Sequence, residues 1–355
     1  MSVGLSVVNA AGVCAAVMLA GCGGSQQLIA TPGEAARDAP LFDPHYATVY
    51  TFAGGTDGRY PNASMIAVGE TLYGTTAGGG TSHNGTVFQV TTSGTQSVIH
   101  RFRGAPSDGA SPTYGLASDD DEFFGATPTG GNGPCAAGCG VVYKMTGSGK
   151  EVVLYKFKGG QDAANPSGGL VVNEGTLYGP AEASGHGTIF AISATGSERV
   201  LYRFKGGRDG QRPVGTLLDD DGTLFGAASG GSGCAGSGCG VIFAATVAGK
   251  ERSVYSFRGG SDGADPGGSL ILENGNLYGT TFAGGGSSCG HAKGCGTIFE
   301  LSTSGKERVL YRFKGGADGE YPNGGLIDVK GKLYGTTSAG GGSGCASNDG
   351  CGTVF

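Results

Sequence analysis

Short apolar runs separated by Gly-rich polar stretches recur along almost the whole chain, and within many runs apolar and polar side chains alternate. The clearest stretch is residues 270–313. Leu270-Ile271-Leu272 is followed by the turn Asn274-Gly275 and then by Asn276-Leu277-Tyr278-Gly279-Thr280-Thr281. A long loop leads to Gly296-Thr297-Ile298-Phe299-Glu300-Leu301, and the turn Ser304-Gly305 leads to a run from Glu307 through Phe313. Tight Gly-containing turns between short apolar runs are hairpin signals, so this stretch predicts four antiparallel strands. Alternation places Val309, Tyr311 and Phe313 on one face with Arg312 on the other, where Lys156 and Arg203 sit in their own runs.

The pattern repeats six times. Phe52, Phe102, Phe157, Phe204, Phe257 and Phe313 each close an apolar run ahead of a Gly-rich, Asp-containing turn, at intervals of 50, 55, 47, 53 and 56 residues. Leu72-Tyr73-Gly74 recurs as Phe123-Phe124-Gly125, Leu177-Tyr178-Gly179, Leu224-Phe225-Gly226, Leu277-Tyr278-Gly279 and Leu333-Tyr334-Gly335. A third marker, GTVF or a variant, begins at Gly85, Gly140, Gly187, Gly240, Gly296 and Gly352. Four strands per repeat of ~50 residues is the period of a β-propeller blade of the kelch size class. The repeats open with a lone fourth-type strand at 47–52 and end inside a third-type strand at Thr353-Val354-Phe355. The expectation is therefore an all-β, six-bladed β-propeller over residues 47–355, its four-stranded antiparallel blades sealed by the N-terminal strand so that no sheet edge stays open. An open β-solenoid, or a chain cut mid-repeat, is the rival reading.

Composition narrows the class. Of 355 residues 76 are Gly, roughly three times ordinary usage, yet no Gly-X-Y period marks collagen. That much Gly disfavours helix interiors by about 1 kcal/mol per residue, against a helical bundle. Charged residues are 15% with a net charge of −6, which speaks against a nucleic-acid partner. Residues 1–21 carry no charged side chain and end in Leu19-Ala20-Gly21 before Cys22, which reads as an export signal. Leu-Ala-Gly-Cys resembles the bacterial lipobox, and that resemblance implies lipidation at Cys22, a membrane anchor, and, from Gly23, placement at the outer membrane. Residues 22–46 read as a flexible tether.

The unit LYRFKGGADGEYPNGGLIDVKGKLYGTTSAGGGSGCASNDGCGTVF, with its GGxDGxxP, LYGTT and GTVF motifs, resembles the Gloeo/Verruco (GloVer) tandem repeat of exported bacterial proteins. The likeness runs over residues 47–355. It implies an exported tandem-repeat protein and carries no activity. Members often have a C-terminal sorting anchor, whereas here an N-terminal lipid takes that part.

Strand parity puts the two tight turns of each blade at one end and its two long loops at the other, so all long loops share one face, where binding normally lives. Eight cysteines fall there in pairs: Cys135 and Cys139, Cys234 and Cys239, Cys289 and Cys295, Cys345 and Cys351. An even count at repeated spacing in an exported chain reads as four disulfides, each closing its own loop. Zinc would need four converging ligands, which separate pairs do not supply. Asp57, Asp108, Asp162, Asp209, Asp262 and Asp318 each sit in a Gly-rich turn shortly before a Pro, the pattern of turn capping. Ca²⁺ at these repeated Asp loops is the alternative, and no other cofactor or metal is indicated.

Non-repeating residues are the better binding candidates. His83, His186 and His291 lie in second-to-third loops with Glu182 and Phe282, and Tyr60, Tyr114 and Tyr321 lie in fourth-to-first loops. No nucleophile elbow, phosphate loop or HExxH run is present. The expected function is a monomeric, envelope-anchored, non-catalytic scaffold binding a protein or polysaccharide through its long-loop face. A carbohydrate-active propeller enzyme and a purely structural envelope repeat protein are the alternatives.

Overall fold

Successive hairpins along the chain fold into meandering sheets in the computed structural model, which describes residues 48–120, 122–182, 185–232, 234, 238–286, 289, 294–342 and 350–355. Sheet 1 is formed by Ile66–Val68, Thr71–Thr76, Thr86–Thr91 and Gln96–Arg101, and sheet 2 by Ala117–Asp119, Glu122–Thr127, Val141–Thr146 and Glu151–Lys156. Sheet 3 follows with Val171–Asn173, Thr176–Ala181, Thr188–Ser193 and Glu198–Arg203. Sheet 4 has Gln211–Asp220, Thr223–Ser229, Val241–Thr246 and Glu251–Ser256, and sheet 5 has Ala264–Glu273, Asn276–Ala283, Thr297–Ser302 and Glu307–Arg312. Each of these five sheets has four strands in chain order with antiparallel pairing, and a two-stranded ribbon of Gly109–Ala110 with Thr129–Gly130 lies beside sheet 2. The last repeat is thinner. Ile327–Val329 pairs with Lys332–Tyr334, Glu320–Pro322 pairs with Thr337–Ala339, and the third-strand position is reduced to a bridge between Thr336 and Val354.

The expected alternation in the fourth strand is broken by a bulge at one position in all five sheets. Phe88 pairs with Val98 and Val87 with His100, so Ile99 is skipped. Leu154, Leu201, Val254 and Leu310 are skipped in the same way. A bulge adds one residue and re-aims the strand. The re-aimed apolar residue serves the contact between sheets: the carbonyls of Ile99, Leu154, Leu201 and Val254 lie under the third-to-fourth turn of the next sheet, at Gly149, Gly196, Gly249 and Gly305.

The core lies between sheets. Each Phe that closes a fourth strand meets the third-strand aromatic of the following sheet edge-to-face. Phe102 meets Tyr143, Phe157 meets Phe190, Phe204 meets Phe243, and Phe257 meets Phe299, with centroids 5.0–5.2 Å apart. Phe52 repeats the contact with Phe88, and Phe313 with Phe355. Edge-to-face pairing adds about 0.5–1.5 kcal/mol to the large area each ring removes from water. The GTVF glycine belongs to the same lock. At Gly296 φ is +98°, and an added Cβ would stand 2.6 Å from Cδ of Pro322 in the next loop.

Residues 48–52 differ from the expected strand. They belong to no strand, although Val49 lies over Gly94 where a fourth strand of a preceding sheet would lie. By repeat position their ladder partner is Thr353-Val354-Phe355, and no ladder joins the two segments among the described residues. The signal at 1–21, the tether at 22–46, Cys22, His291 and Cys345 lie outside the described residues.

Candidate functional site

The long loops meet at one end of the sheets, as strand parity requires, and the backbone there is held in a repeated conformation. The residue before the loop Pro is left-handed in all six copies, with φ of 60° at Tyr60, 55° at Ser111, 50° at Asn165, 47° at Arg212, 54° at Asp265 and 58° at Tyr321. None is Gly, so each position costs on the order of 1–3 kcal/mol and must be held by its surroundings. The clamp is a hydrogen bond from the amide N–H to the carbonyl that precedes the GTVF glycine. Ser111 donates to Asn84, Asn165 to Cys139, Arg212 to His186, Asp265 to Cys239 and Tyr321 to Cys295, at 2.7–2.9 Å. This position is constant in backbone and variable in side chain.

Three disulfides are formed: Cys135–Cys139, Cys234–Cys239 and Cys289–Cys295. Cys351 is also disulfide-bonded. The Sγ atoms pack against Gly159, Gly259 and Gly315, just past the fourth-strand Phe of the same sheet. Sheets 1 and 3 have no cysteine there. The side chain of Asn84 lies over Gly104, and the His186 ring lies over Gly206 with Nδ1 3.0 Å from Oε1 of Gln211. His186 therefore fills the place of a disulfide. Disulfides are a mark of oxidising, exported surroundings. Among the described residues no helix is long and apolar enough to cross a membrane.

The predicted binding residues divide. Phe282 and Tyr321, predicted in loops, lie instead in the strands Asn276–Ala283 and Glu320–Pro322, because the strands run further toward the loop side than the turn signals mark. There Phe282, 39% exposed, stacks on buried Tyr321 with centroids 4.8 Å apart and planes 20° from parallel. Tyr60 is 61% exposed and its ring carries the Arg59 guanidinium 5.3 Å from its centroid. Burial pushes the Tyr114 phenol up, and the charge of Glu182 adds to the shift, so these two loops are neighbours. His83 is exposed with φ of 59°, in a turn closed by its N–H on the Gly80 carbonyl.

The recurring Asp residues are held inside the turns. Asp162 Oδ2 accepts from the Lys158 amide and from the Tyr155 hydroxyl, while Oδ1 accepts from the Ala163 amide. Asp209, Asp262 and Asp318 each take one backbone amide and the hydroxyl of Tyr202, Tyr255 or Tyr311. Asp57 likewise takes the Ala53 amide and the Tyr50 hydroxyl.

Sequence reasoning missed what faces Asp108, Asp162, Asp209 and Asp262, a Glu at the start of the next fourth strand. Burial first, and then the charge of Asp162, Asp209 or Asp262, push Glu198, Glu251 and Glu307 up to about 7. Burial and a like-charged neighbour both favour the neutral form of each Glu at these junctions. The signal was in the spacing: Glu151, Glu198, Glu251 and Glu307 all lie six residues before the closing Phe, and Gln96 stands there in sheet 1. Gln is a neutral isostere of a protonated Glu. The junction between sheets 1 and 2 departs from this set, because His100 replaces the Tyr. His100 Nε2 is 3.4 Å from Asp108 Oδ2 and makes no hydrogen bond.

The sequence profile of the Gloeobacter/Verrucomicrobia repeat matches residues 41–181 and 132–355. No curated protein matches the sequence. Among solved structures, the PQQ-bound form of aldose sugar dehydrogenase from Streptomyces coelicolor is similar at 13% identity and a TM-score of 0.50, over 86% of this chain and 95% of that one. The GH74 enzyme of Niastella koreensis is similar at 13% identity and a TM-score of 0.46, over 72% of this chain and 38% of its own. Tricorn protease matches at 15% identity and a TM-score of 0.43, over 76% of this chain and 24% of its own. The chain thus spans well under half the length of the last two. At such identities the first likeness shows a propeller-like fold and nothing of chemistry, although all three structures are enzymes.

Proposed function

The chain belongs to the Gloeobacter/Verrucomicrobia repeat family, and from that premise we propose that it is an exported, lipid-anchored scaffold that binds a polysaccharide or envelope protein through its long-loop side. In this reading the six repeats close into a ring, residues 48–52 lying along Thr353-Val354-Phe355, and Cys22 carries the lipid. The reading rests chiefly on Phe282 stacked on Tyr321. An aromatic ring 39% exposed, supported from below by a second ring on a clamped backbone, is a rigid apolar platform at the loop-side ends of two strands. Tyr60 occupies the same repeat position as Tyr321 and exposes its ring. The repeated carboxylates are committed to turns and to one another, which leaves binding, rather than acid–base chemistry, as the work of this side.

The test is binding of the purified chain to immobilised polysaccharides and to separated envelope proteins, against the variant Phe282→Ala with Tyr60→Ala. At least tenfold weaker binding with an unchanged Tm supports the reading. Binding equal in the two proteins, or turnover of a polysaccharide abolished by one carboxylate substitution, overturns it. Mass spectrometry of the mature chain is expected to find acylated Cys22, and an unmodified N-terminus would remove the anchor.

A further inference from the structure

The junction between sheets 1 and 2 breaks the repeat in two places at once. His100 stands where Tyr50, Tyr155, Tyr202, Tyr255 and Tyr311 stand in the other copies. Tyr143 replaces the third-strand Phe. Its hydroxyl is wholly buried without a hydrogen-bond partner, and after burial itself it is the charges of Glu151 and Asp108 that push its ionisation up. The junction also has Glu151 opposite Asp108, as elsewhere, but with no tyrosine hydroxyl between the strands. One nitrogen of His100 and one oxygen each of Asp108 and Glu151 lie within 4.8 Å of one another. His100 Nε2 and Glu151 Oε1 are both cut off from solvent and both lack a hydrogen-bond partner. Asp108, 5% exposed, is fixed by the Arg103 and Gly109 amides, which leaves its Oδ2 3.4 Å from the imidazole.

We propose that His100, Asp108 and Glu151 form a divalent metal site of the zinc type at this junction. Solvent-excluded polar atoms without a hydrogen bond, His100 Nε2 and Glu151 Oε1, cost free energy that a shared ligand would recover. The 3.4 Å separation is roughly that of two ligand atoms each about 2.0–2.1 Å from one tetrahedral ion. A neutral imidazole with two carboxylates balances a 2+ charge. One nitrogen among the donors selects a borderline first-row ion such as Zn²⁺ over Ca²⁺, which takes oxygen alone. The site is distinct from the loop aromatics and stands whatever they bind.

The chain supplies its own controls. His100→Tyr restores the residue of the five other copies, and Glu151→Gln installs the residue that position 96 already carries, so both variants use side chains the fold accepts. The full chain, stripped with a chelator, is titrated with Zn²⁺ and separately with Ca²⁺ by calorimetry, and its Tm is followed with and without Zn²⁺. One Zn²⁺ per chain is expected, with a Tm rise on binding. Each variant should weaken Zn²⁺ binding at least tenfold and lose the Tm rise, while the metal-free Tm stays close to that of the parent. No Zn²⁺ uptake by the parent, uptake unchanged in both variants, or Ca²⁺ bound as tightly as Zn²⁺ would each overturn the assignment.

Discussion

The junctions between sheets and the loop side above them are built from the same six repeats, yet they vary in opposite ways. At the junctions the contacts recur almost unaltered: Phe on aromatic at 4.9–5.2 Å, a bulged apolar residue under the next turn, and Asp facing Glu. On the loop side the backbone recurs but the side chains do not. The left-handed position carries Tyr, Ser, Asn, Arg, Asp and Tyr, and the plug beside the loop Gly is Asn84, a disulfide or His186. Repetition therefore marks what holds the sheets together, and departure from it marks where a ligand is to be sought. His100 is the exception that crosses the line, a departure inside a junction.

The largest effect should come from the junction aromatics. Phe243→Ala removes a fully buried ring that seals sheets 3 and 4, and about 3–5 kcal/mol of stability should be lost in denaturant unfolding. Phe282→Ala on the loop side should cost under about 1 kcal/mol, because that ring is already partly in water. Comparable losses would erase the distinction. Reduction of the disulfides comes next, at roughly 2 kcal/mol for each short loop. Limited proteolysis should then cut the loop side while circular dichroism keeps its β signal, since each pair closes a loop and joins no two sheets. Collapse of the β signal would contradict this.

The smallest effect is one of pH. Glu198, Glu251 and Glu307 have folded-state values raised to about 7 from an ordinary 4.5, so the folded chain holds protons the unfolded chain has released. Their contribution is complete below about 4.5 and is lost as pH rises through 7. These groups are partly in solvent, which damps the size of the effect. Tm measured from pH 5 to 8 should fall, and the triple variant Glu198→Gln, Glu251→Gln, Glu307→Gln should flatten that fall. An unchanged slope in the variant would show that these three carboxyls are not raised in the folded chain.

Much of this was legible beforehand. Three markers in register, such as Phe257, Leu277-Tyr278-Gly279 and Gly296, set the four-stranded unit, its parity and the loop side, and the cysteine spacing pointed to local disulfides. The bulge at Leu201 was hidden because an unbroken apolar run such as VLYRF alternates equally well with or without a skipped residue. The pairing of Asp162 with Glu198 was hidden because the two belong to different copies, and only packing of one sheet on the next brings them together. The clamp on Tyr321 was hidden for the same reason: its acceptor, the Cys295 carbonyl, belongs to the preceding copy.

Closure of the ring carries the proposal that all six loop sets work as one face, and a cross-link tests it. Thr86 pairs with Arg101 in sheet 1, and by repeat position Thr353 would pair with Thr51. Cysteines placed at 51 and 353 in the full chain should form an intramolecular disulfide as readily as a control pair at 86 and 101, because paired strands bring Cα atoms to about 4.5–5.5 Å. A control pair that oxidises while the 51–353 pair stays reduced, or links only between molecules, would show that the repeats do not close.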